Sequence, residues 1–495
     1  MMMNKLLIVL TTMGLAIVAK AQVIQKLTLQ ESIQIASDSS LQSFRVNNLY
    51  QASFWEYRAF RAARLPSLTL NMTPVEYNRE FIRRYEPDSN IDVYRIQQSL
   101  YSSANVAVNQ NLDMTGGTFF IDSEFGFFRN MGQTAFTQYS SVPIRIGYVQ
   151  SLTGFNPFRW EKKIEPLKYE KAKKQYLYSR EEVSESVIEH FFTLALAQAE
   201  YEMAIDNVKS ADTLFHIGQE RFKIAAISQA DMLTLKLDAI NANNSLKNIE
   251  IELKKATFNF RSFLNLEEGN QFEIVLPQRP KDLSIPIDRA LDYAQANNPD
   301  YLGNRQEIME AEREADKASK EAAFNADLWL STGFNQVAGT VSGAYRDPLQ
   351  QNIVRIGLSV PILDWGVRKG RVNMAKNNLN VARISVQQKE LSLEQDVMVT
   401  VSDFNIQQDM INSAEEALDL AVAAYNATRQ RFIIGKSDIN SLTLSLNRQK
   451  EAQKNYISVL KNYWLSYYRI RKLTLYDFER QAPLSFLFDK MNNVR

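Results

Sequence analysis

The sequence predicts a mostly helical protein with a membrane-type β component, built from two copies of one plan and closed by association of identical chains. Three observations carry this. First, a seven-residue apolar ladder occurs twice: Val187, Leu194, Tyr201, Val208, Phe215 and Phe222, then Val397, Phe404, Ile411, Leu418, Tyr425 and Phe432, at a constant offset of 210 residues. Such a repeat holds one seam of a long helix against a neighbour over many turns. Second, short segments of strict apolar–polar alternation precede each long helix. Third, the chain opens on a secretory signal: Lys5, the apolar run Leu6 to Val18, and the motif Ala19-Lys20-Ala21, with cleavage expected after Ala21. No later stretch is apolar enough to span a bilayer as a helix. A membrane crossing by the mature chain would therefore be a closed β-barrel, the other structure that satisfies every backbone group in lipid.

Composition narrows the function. The 495 residues carry a formal net charge of +1, without the basic excess expected for a nucleic-acid partner. The chain has no cysteine, which excludes disulfides, thiolate metal sites and a lipid-bearing cysteine. Its two histidines, His190 and His216, both fall in the first long helix and read as helix-surface residues rather than metal ligands. No nucleophile–base pair, metal cluster or phosphate loop is legible, so neither enzyme activity nor a cofactor is expected.

Taken in order, a helix starts near Leu27 and a second runs from Leu41 to Arg64, where Pro66 ends it. Alternation follows at Leu68, Leu70 and Met72, and again at Val106, Val108 and Leu112. Thr115-Gly116-Gly117 reads as a turn. Phe119, Ile121, Phe125 and Phe127 then oppose Asp122 and Glu124, and Ile144, Ile146 and Tyr148 alternate in turn. A soluble sheet with one wet face gives the same pattern. The first long helix spans about 157–224. A return helix from about Ser228 to Leu266 carries Leu233, Leu237 and Ile240, and Glu267-Glu268-Gly269-Asn270 stops it. The plan restarts at Ile287, aligned with Leu29 at an offset of 258. After the second set of strands (Ile356, Leu358, Val360) the offset is near 211, so the first half holds about fifty extra residues between Leu41 and Tyr148. These are read as an added β-hairpin plus a longer loop.

The organisation is thus 1–21 signal peptide, 22–65 and 287–325 the helices before the strands, and 66–153 and 326–365 the strands. Residues 154–270 and 366–475 each form a long helix, a tip turn and a return helix; 271–286 is a linker and 476–495 a polar tail. Four helix-lengths and a few strands per chain leave both layers open, and cyclic association of copies would close them.

The pairs Leu29 to Leu41 with Ile287 to Pro299, Val149 to Gly154 with Val360 to Gly366, and Arg221 to Leu233 with Arg431 to Leu442 recur in the same order around the two heptad helices. In these the chain resembles the TolC-like outer-membrane efflux protein family over nearly its whole mature length. The resemblance implies a homotrimer whose strands form one outer-membrane β-barrel and whose helices form a periplasmic α-barrel tunnel. It also implies passive conduction, in a tripartite efflux or type I secretion system, from an inner-membrane pump and a periplasmic adaptor to the outside. Outer-membrane lipid would surround the strands.

By the same resemblance, Arg221, Phe222, Ala225 and Ser228 in the first turn, and Arg431, Phe432, Gly435 and Ser437 in the second, face the adaptor. Gly435 suits a helix C-terminus, and Ala225 in the matching place predicts a less sharp first turn. Asp231 matches an acidic position that helps hold the entrance shut; the plain alternative is a first-turn aspartate favoured by the helix dipole. Asp438, Asn440 and Thr443 stand in the region of the expected second-half lock, with Asp438 read as displaced by a one-residue gap. Phe432 replaces a tyrosine and has no hydroxyl to donate. The competing reading of the whole chain is a soluble periplasmic coiled-coil scaffold or adaptor.

Overall fold

A computed structural model describes residues 24–131, 135–152, 154–267, 271–278 and 283–485. The signal segment, its cleavage site, most of the stop signal after Leu266 and the end of the tail lie outside the described residues. The first half runs β1 (Ile24–Leu27), α1 (Leu29–Ser39), α2 (Leu41–Ala62), β2 (Ser67–Glu86), β3 (Ile91–Asn111), β4 (Thr118–Asn130), β5 (Phe136–Ser151), α3 (Pro157–Lys223) and α4 (Gln229–Leu264). The second half runs β6 (Gln271–Ile274), α5 (Ile287–Asn297), α6 (Pro299–Glu321), β7 (Asn325–Ala338), α7 (Val341–Ala344), β8 (Leu349–Ser359), α8 (Val367–Ile433), α9 (Ile439–Thr474), β9 (Tyr476–Asp477) and β10 (Ala482–Pro483). The halves match in length: α3 and α8 have 67 residues each, α4 and α9 have 36 each. Gly154 and Gly366, paired by the sequence repeat, both take a positive φ (83° and 87°) just before the long helices, a conformation glycine adopts without a Cβ clash.

One compact unit gathers residues 173–299 with the segments up to Tyr50 and from Ser392 onward. Its core is the upper part of the two ladders. Val187, Leu194, Val397, Phe404 and Ile411 are buried, and Phe191, Phe192, Phe260, Leu460, Tyr463 and Tyr467 pack with them. Leu29 and Ala36 of α1, and Ala290 and Ala294 of α5, join the same core. The first helix starts two residues later than its sequence suggests. Leu27 ends β1, which pairs in parallel with β6, and Thr28 caps α1 through a reciprocal box with Glu31. Down the ladders burial fades to half-buried at Tyr201, Val208, Phe215, Leu418 and Tyr425. The apolar triplet of the return helix is a further departure. Leu233, Leu237 and Ile240 lie exposed on α4, which buries Leu235, Ala239 and Ala242 instead.

The other unit holds residues 51–172 and 300–391. Its centre is one six-stranded antiparallel meander in the order β2-β3-β4-β5-β7-β8. The first half brings four strands to this sheet against two from the second, and where a longer loop was expected β2 and β3 continue as strand. β2 runs to Glu86 and turns through four residues into β3 at Ile91. Pro74 hid this continuity. It sits in a register shift between Thr73 and Glu76, a bulge that accommodates a residue without an N–H. Beyond the bulge, charges at Glu76, Arg79, Glu80 and Arg83 interrupt the apolar alternation. β4 pairs with β3 only from Ser99 onward, so the far part of the β2–β3 ribbon extends past the neighbouring strands.

Register gives the sheet two unlike faces. One carries the cross-strand rows Leu68, Val108, Ile121, Ile146 and Phe119, Tyr148, Leu330, Val354. The opposite face carries the row Thr69, Ala107, Asp122, Arg145, Gly333, Gln351. Among the described residues no helix is long and apolar enough to cross a membrane.

Candidate functional site at the helix turns

The two long helices end in matching turns. In the first, Ala225 N donates to Phe222 O at 3.0 Å and Ala226 N to Arg221 O at 2.8 Å. In the second, Gly435 N donates to Phe432 O at 3.0 Å and Lys436 N to Arg431 O at 2.8 Å. This six-to-one closure requires a left-handed residue, and both positions supply it: Gly435 at φ 78° and Ala225 at φ 56°. The expectation of a less sharp first turn is therefore overturned. The hydrogen-bonded closure forces the alanine into the conformation that glycine adopts freely.

The return helices are capped by the same two residue types in exchanged positions, reciprocally at α4 and through the Asp438 carboxylate alone at α9. Ser228 caps α4: Asp231 N donates to Ser228 Oγ at 3.1 Å, and Ser228 Oγ and N donate to Asp231 Oδ2 at 2.8 and 3.2 Å. Asp438 caps α9: Ser441 N donates to Asp438 Oδ1 at 2.7 Å and Ser441 Oγ to Oδ2 at 2.9 Å. Ser228 thus corresponds to Asp438 and Asp231 to Ser441, both at the ladder offset of 210. These hydrogen bonds, first from Ser441 N, hold the Asp438 carboxyl below the usual carboxylate range. Asp231 is engaged within its own turn. Ser441 escaped the sequence reading, and carrying the 210 offset through the turn would have found it.

Arg221 and Phe432 are brought together. The guanidinium lies 5.7 Å from the Phe432 ring centroid, and Nη2 donates to Ile433 O at 2.7 Å. Phe432 is buried at 4% exposure among Leu214, Leu235 and Leu442, with Phe215, Tyr425, Ile227 and Ile439 around them. Its repeat partner Phe222 is 40% exposed. Arg431 is exposed too, and its side chain makes no hydrogen bond or ion pair among the described residues. Ser437 is half-buried, Asn440 is exposed, and Thr443 lines a groove between the halves together with Asp238 and Lys450. Burial there pushes the Asp238 carboxyl up and the Lys450 ammonium down. Neither residue was singled out from sequence.

On the polar face of the sheet, Arg145 donates from Nε to Asp122 Oδ1 at 2.9 Å, and Asn105 Nδ2 donates to Asp122 Oδ2 at 2.9 Å. Phe120 lies over Gly147, where a Cβ would sit 2.2 Å from the ring, and 5.1 Å from the Trp329 ring. No group of three or more His, Cys, Asp or Glu side chains suited to a metal occurs among the described residues. His190 packs 4.7 Å from the Phe263 ring, and burial lowers its pKa.

Residues 290–474 match the family described as outer membrane efflux protein. Outer membrane protein TolC of Escherichia coli (strain K12) is 23% identical over 291 residues, 55% of this chain and 57% of that protein. The chain spans between 57% and 60% of the length of the curated relatives it matches. The outer membrane channel CmeC of Campylobacter jejuni shares the fold at a TM-score of 0.65 and 12% identity, over 90% of this chain and 85% of CmeC. The outer membrane protein VceC of Vibrio cholerae does so at 0.62 and 12% identity, over 90% and 95%. Residues 290–474 thus carry the match to the outer membrane efflux protein family, and over 90% of its length the chain shares the fold of these outer membrane channels.

Proposed function

We propose that this chain is one protomer of a homotrimeric outer-membrane exit duct. The sheets of three copies join into one β-barrel among outer-membrane lipid, and the paired long and return helices form the wall of a periplasmic tunnel. The duct conducts passively; an inner-membrane pump supplies the substrate and a periplasmic adaptor meets the helix turns, as in tripartite efflux or type I secretion. The signal peptide is removed after Ala21 on export. The exposed tip residues Phe222, Arg431, Gly435 and the neighbouring Ala225 are the adaptor contacts of this reading. Asp231, Asp438, Asn440 and Thr443 frame the entrance.

The observation that carries the proposal is the sheet. Leu70, Val354, Ile356 and Leu358 stand exposed on one face, polar groups occupy the other, and both edge strands, β2 and β8, are unpaired on their outer side. A water-soluble scaffold has no use for such a face, whereas lipid on one side and water on the other require it. Open edges in lipid are excluded, so the sheet must close on other copies. Outer-membrane fractionation followed by gels with and without boiling tests this. The expected result is an outer-membrane band of trimer mass that boiling converts to monomer; a monomer in the soluble periplasmic fraction overturns it.

A further inference from the structure

The apolar face of the sheet ends, toward the hairpin tips, in a girdle of rings with arginines above it. The bulge of the first hairpin lies in β2, so β3 alternates without a break, and Val108, Val106, Leu100, Ile96 and Tyr94 share one face. The register sets Phe125 and Phe127 of β4 on that face, opposite Ala104 and Ser102. Tyr139 of β5 lies 6.2 Å from the Phe125 ring and 5.4 Å from that of Phe127, and Tyr345 stacks on Phe125 at 6.3 Å. Two contacts hold Tyr345 there: Ser141 Oγ donates to Ala344 O, and Gln336 Nε2 donates to Arg346 O at 3.3 Å. From Phe119 to Phe127 the strand rises about 27 Å, or about 21 Å across a bilayer at a tilt of about 40°, near the height of the apolar band of an outer-membrane barrel. The next position of this face on β4 is Arg129, level with Leu100 and Tyr77. One step nearer the tip, Arg79 stands opposite Gln98. Both arginine side chains are exposed and make no hydrogen bond or ion pair among the described residues. Arg83, farther along the same face, is engaged with Asp92. The carboxylates of Glu76, Glu80, Glu86 and Glu124 fall on the opposite face.

We propose that Arg79 and Arg129 bind the phosphates of an outer-leaflet glycolipid whose sugars lie against the far β2–β3 ribbon. This inference rests on the barrel proposed above and gives its lipid face a specific ligand. The two arginines are two strands and one pair step apart, about 12 Å between Cα atoms, so they engage phosphates at two points of the headgroup. A guanidinium takes a phosphate through two parallel N–H donors, and neither arginine has a carboxylate to displace first. Height decides between a phospholipid and a glycolipid. The ribbon from Ile91 to Gln98 runs about 26 Å past β4, about 20 Å in height at the same tilt, whereas a phospholipid headgroup layer is only about 5–8 Å deep. Yet the same face of the ribbon keeps Phe81 at 68% and Tyr94 at 73% exposure. Rings at that height meet the saccharide of a glycolipid, whose C–H faces pack on aromatic rings.

The purified protein in detergent is titrated with bisphosphorylated lipid A, and bound lipid is counted by native mass spectrometry. Arg79→Gln and Arg129→Gln should each weaken binding about fivefold, and together about twenty-five-fold, since side chains this far apart act independently. Arg95→Gln removes an equal charge from the opposite face, where Arg95 is paired with Glu86, and should leave binding unchanged within about twofold. Lipid A stripped of both phosphates should bind the parent no better than intact lipid A binds the double variant. Absence of binding by the parent, parent-like binding by the double variant, or an equal loss in Arg95→Gln overturns the site. So does displacement of the lipid by an excess of inorganic phosphate, which would show a free-anion site instead. Unboiled gels of each protein report its assembly. A native outer-membrane trimer with any of these results overturns the site and leaves the duct standing, and a soluble periplasmic monomer overturns both.

Discussion

Ala225 holds a φ of 56° where the second half places a glycine. A Cβ in that region costs about 1–2 kcal/mol, and glycine in exchange loses some of this to its greater freedom in the unfolded chain. Ala225→Gly should therefore tighten the first turn by about 1 kcal/mol. Amide hydrogen exchange at residues 224–228 should then slow by roughly twofold to fivefold. The reverse change, Gly435→Ala, adds a Cβ 3.3 Å from Arg221 Nη2 at a φ of 78°, and should speed exchange in the second turn. Equal exchange in the Ala225→Gly variant and the parent would show that the turn does not store this strain.

The return helix α9 is fastened at its far end by buried ions. Arg471 donates from Nη2 to Glu181 Oε1 at 3.1 Å, and its Nη1 lies 3.3 Å from Asp477 Oδ2. Tyr467 OH donates to Asp477 Oδ1 at 2.7 Å, and Lys472 Nζ donates to Glu185 Oε2 at 2.6 Å. The cluster ties α9 to α3 and fixes the chain where Leu475 turns at a φ of 47°. Burial pushes the Glu181 carboxyl up, against the pull of Arg471. Removing Arg471 leaves that carboxylate uncompensated, a loss of about 3–5 kcal/mol. A raised pKa in the folded state means that folding takes up a proton. Arg471→Met should then be most destabilised at neutral and alkaline pH, and should regain stability as acid protonates Glu181. Thermal denaturation between pH 5 and 8 checks the direction. A parallel offset between variant and parent across that range would remove Glu181 from the account.

Elements of this kind differ in how far the sequence declares them. The long helices were legible because a heptad repeats ten or so turns over, and the 210 offset repeats it again. The far ribbon of β2 and β3 was not, because Pro74 shifts the register and charged residues break the alternation beyond it. At the turns, Arg221, Phe222 and their repeats were legible as a motif. The exchanged caps were not, since Ser228–Asp231 and Asp438–Ser441 cap their helices while reversing the residues. The ladder also assigned Phe222 and Phe432 one role, and no periodicity can show that Arg221 is within reach of only one of them.

For the whole assembly, the consequence lies in the strand count. The second half contributes two strands to the sheet and the first contributes four, so the three copies of the proposed trimer would bring 18 strands rather than the 12 of a duplicated two-strand plan. With strands about 4.8 Å apart and tilted about 40°, 18 strands close at a backbone diameter of about 36 Å, against about 24 Å for 12. Inward side chains take about 10 Å of either figure, leaving about 26 Å or about 14 Å open. On the proposed trimer, a polyethylene glycol of about 20 Å hydrodynamic diameter, added on the side of the sheet's hairpin tips, should enter the barrel and lower single-channel conductance in a planar bilayer. The same polymer added on the side of the helix turns should meet the narrower entrance and leave conductance unchanged. Exclusion from both sides would mean that the β2–β3 hairpin, paired as it is within one chain, leaves the wall when the barrel closes.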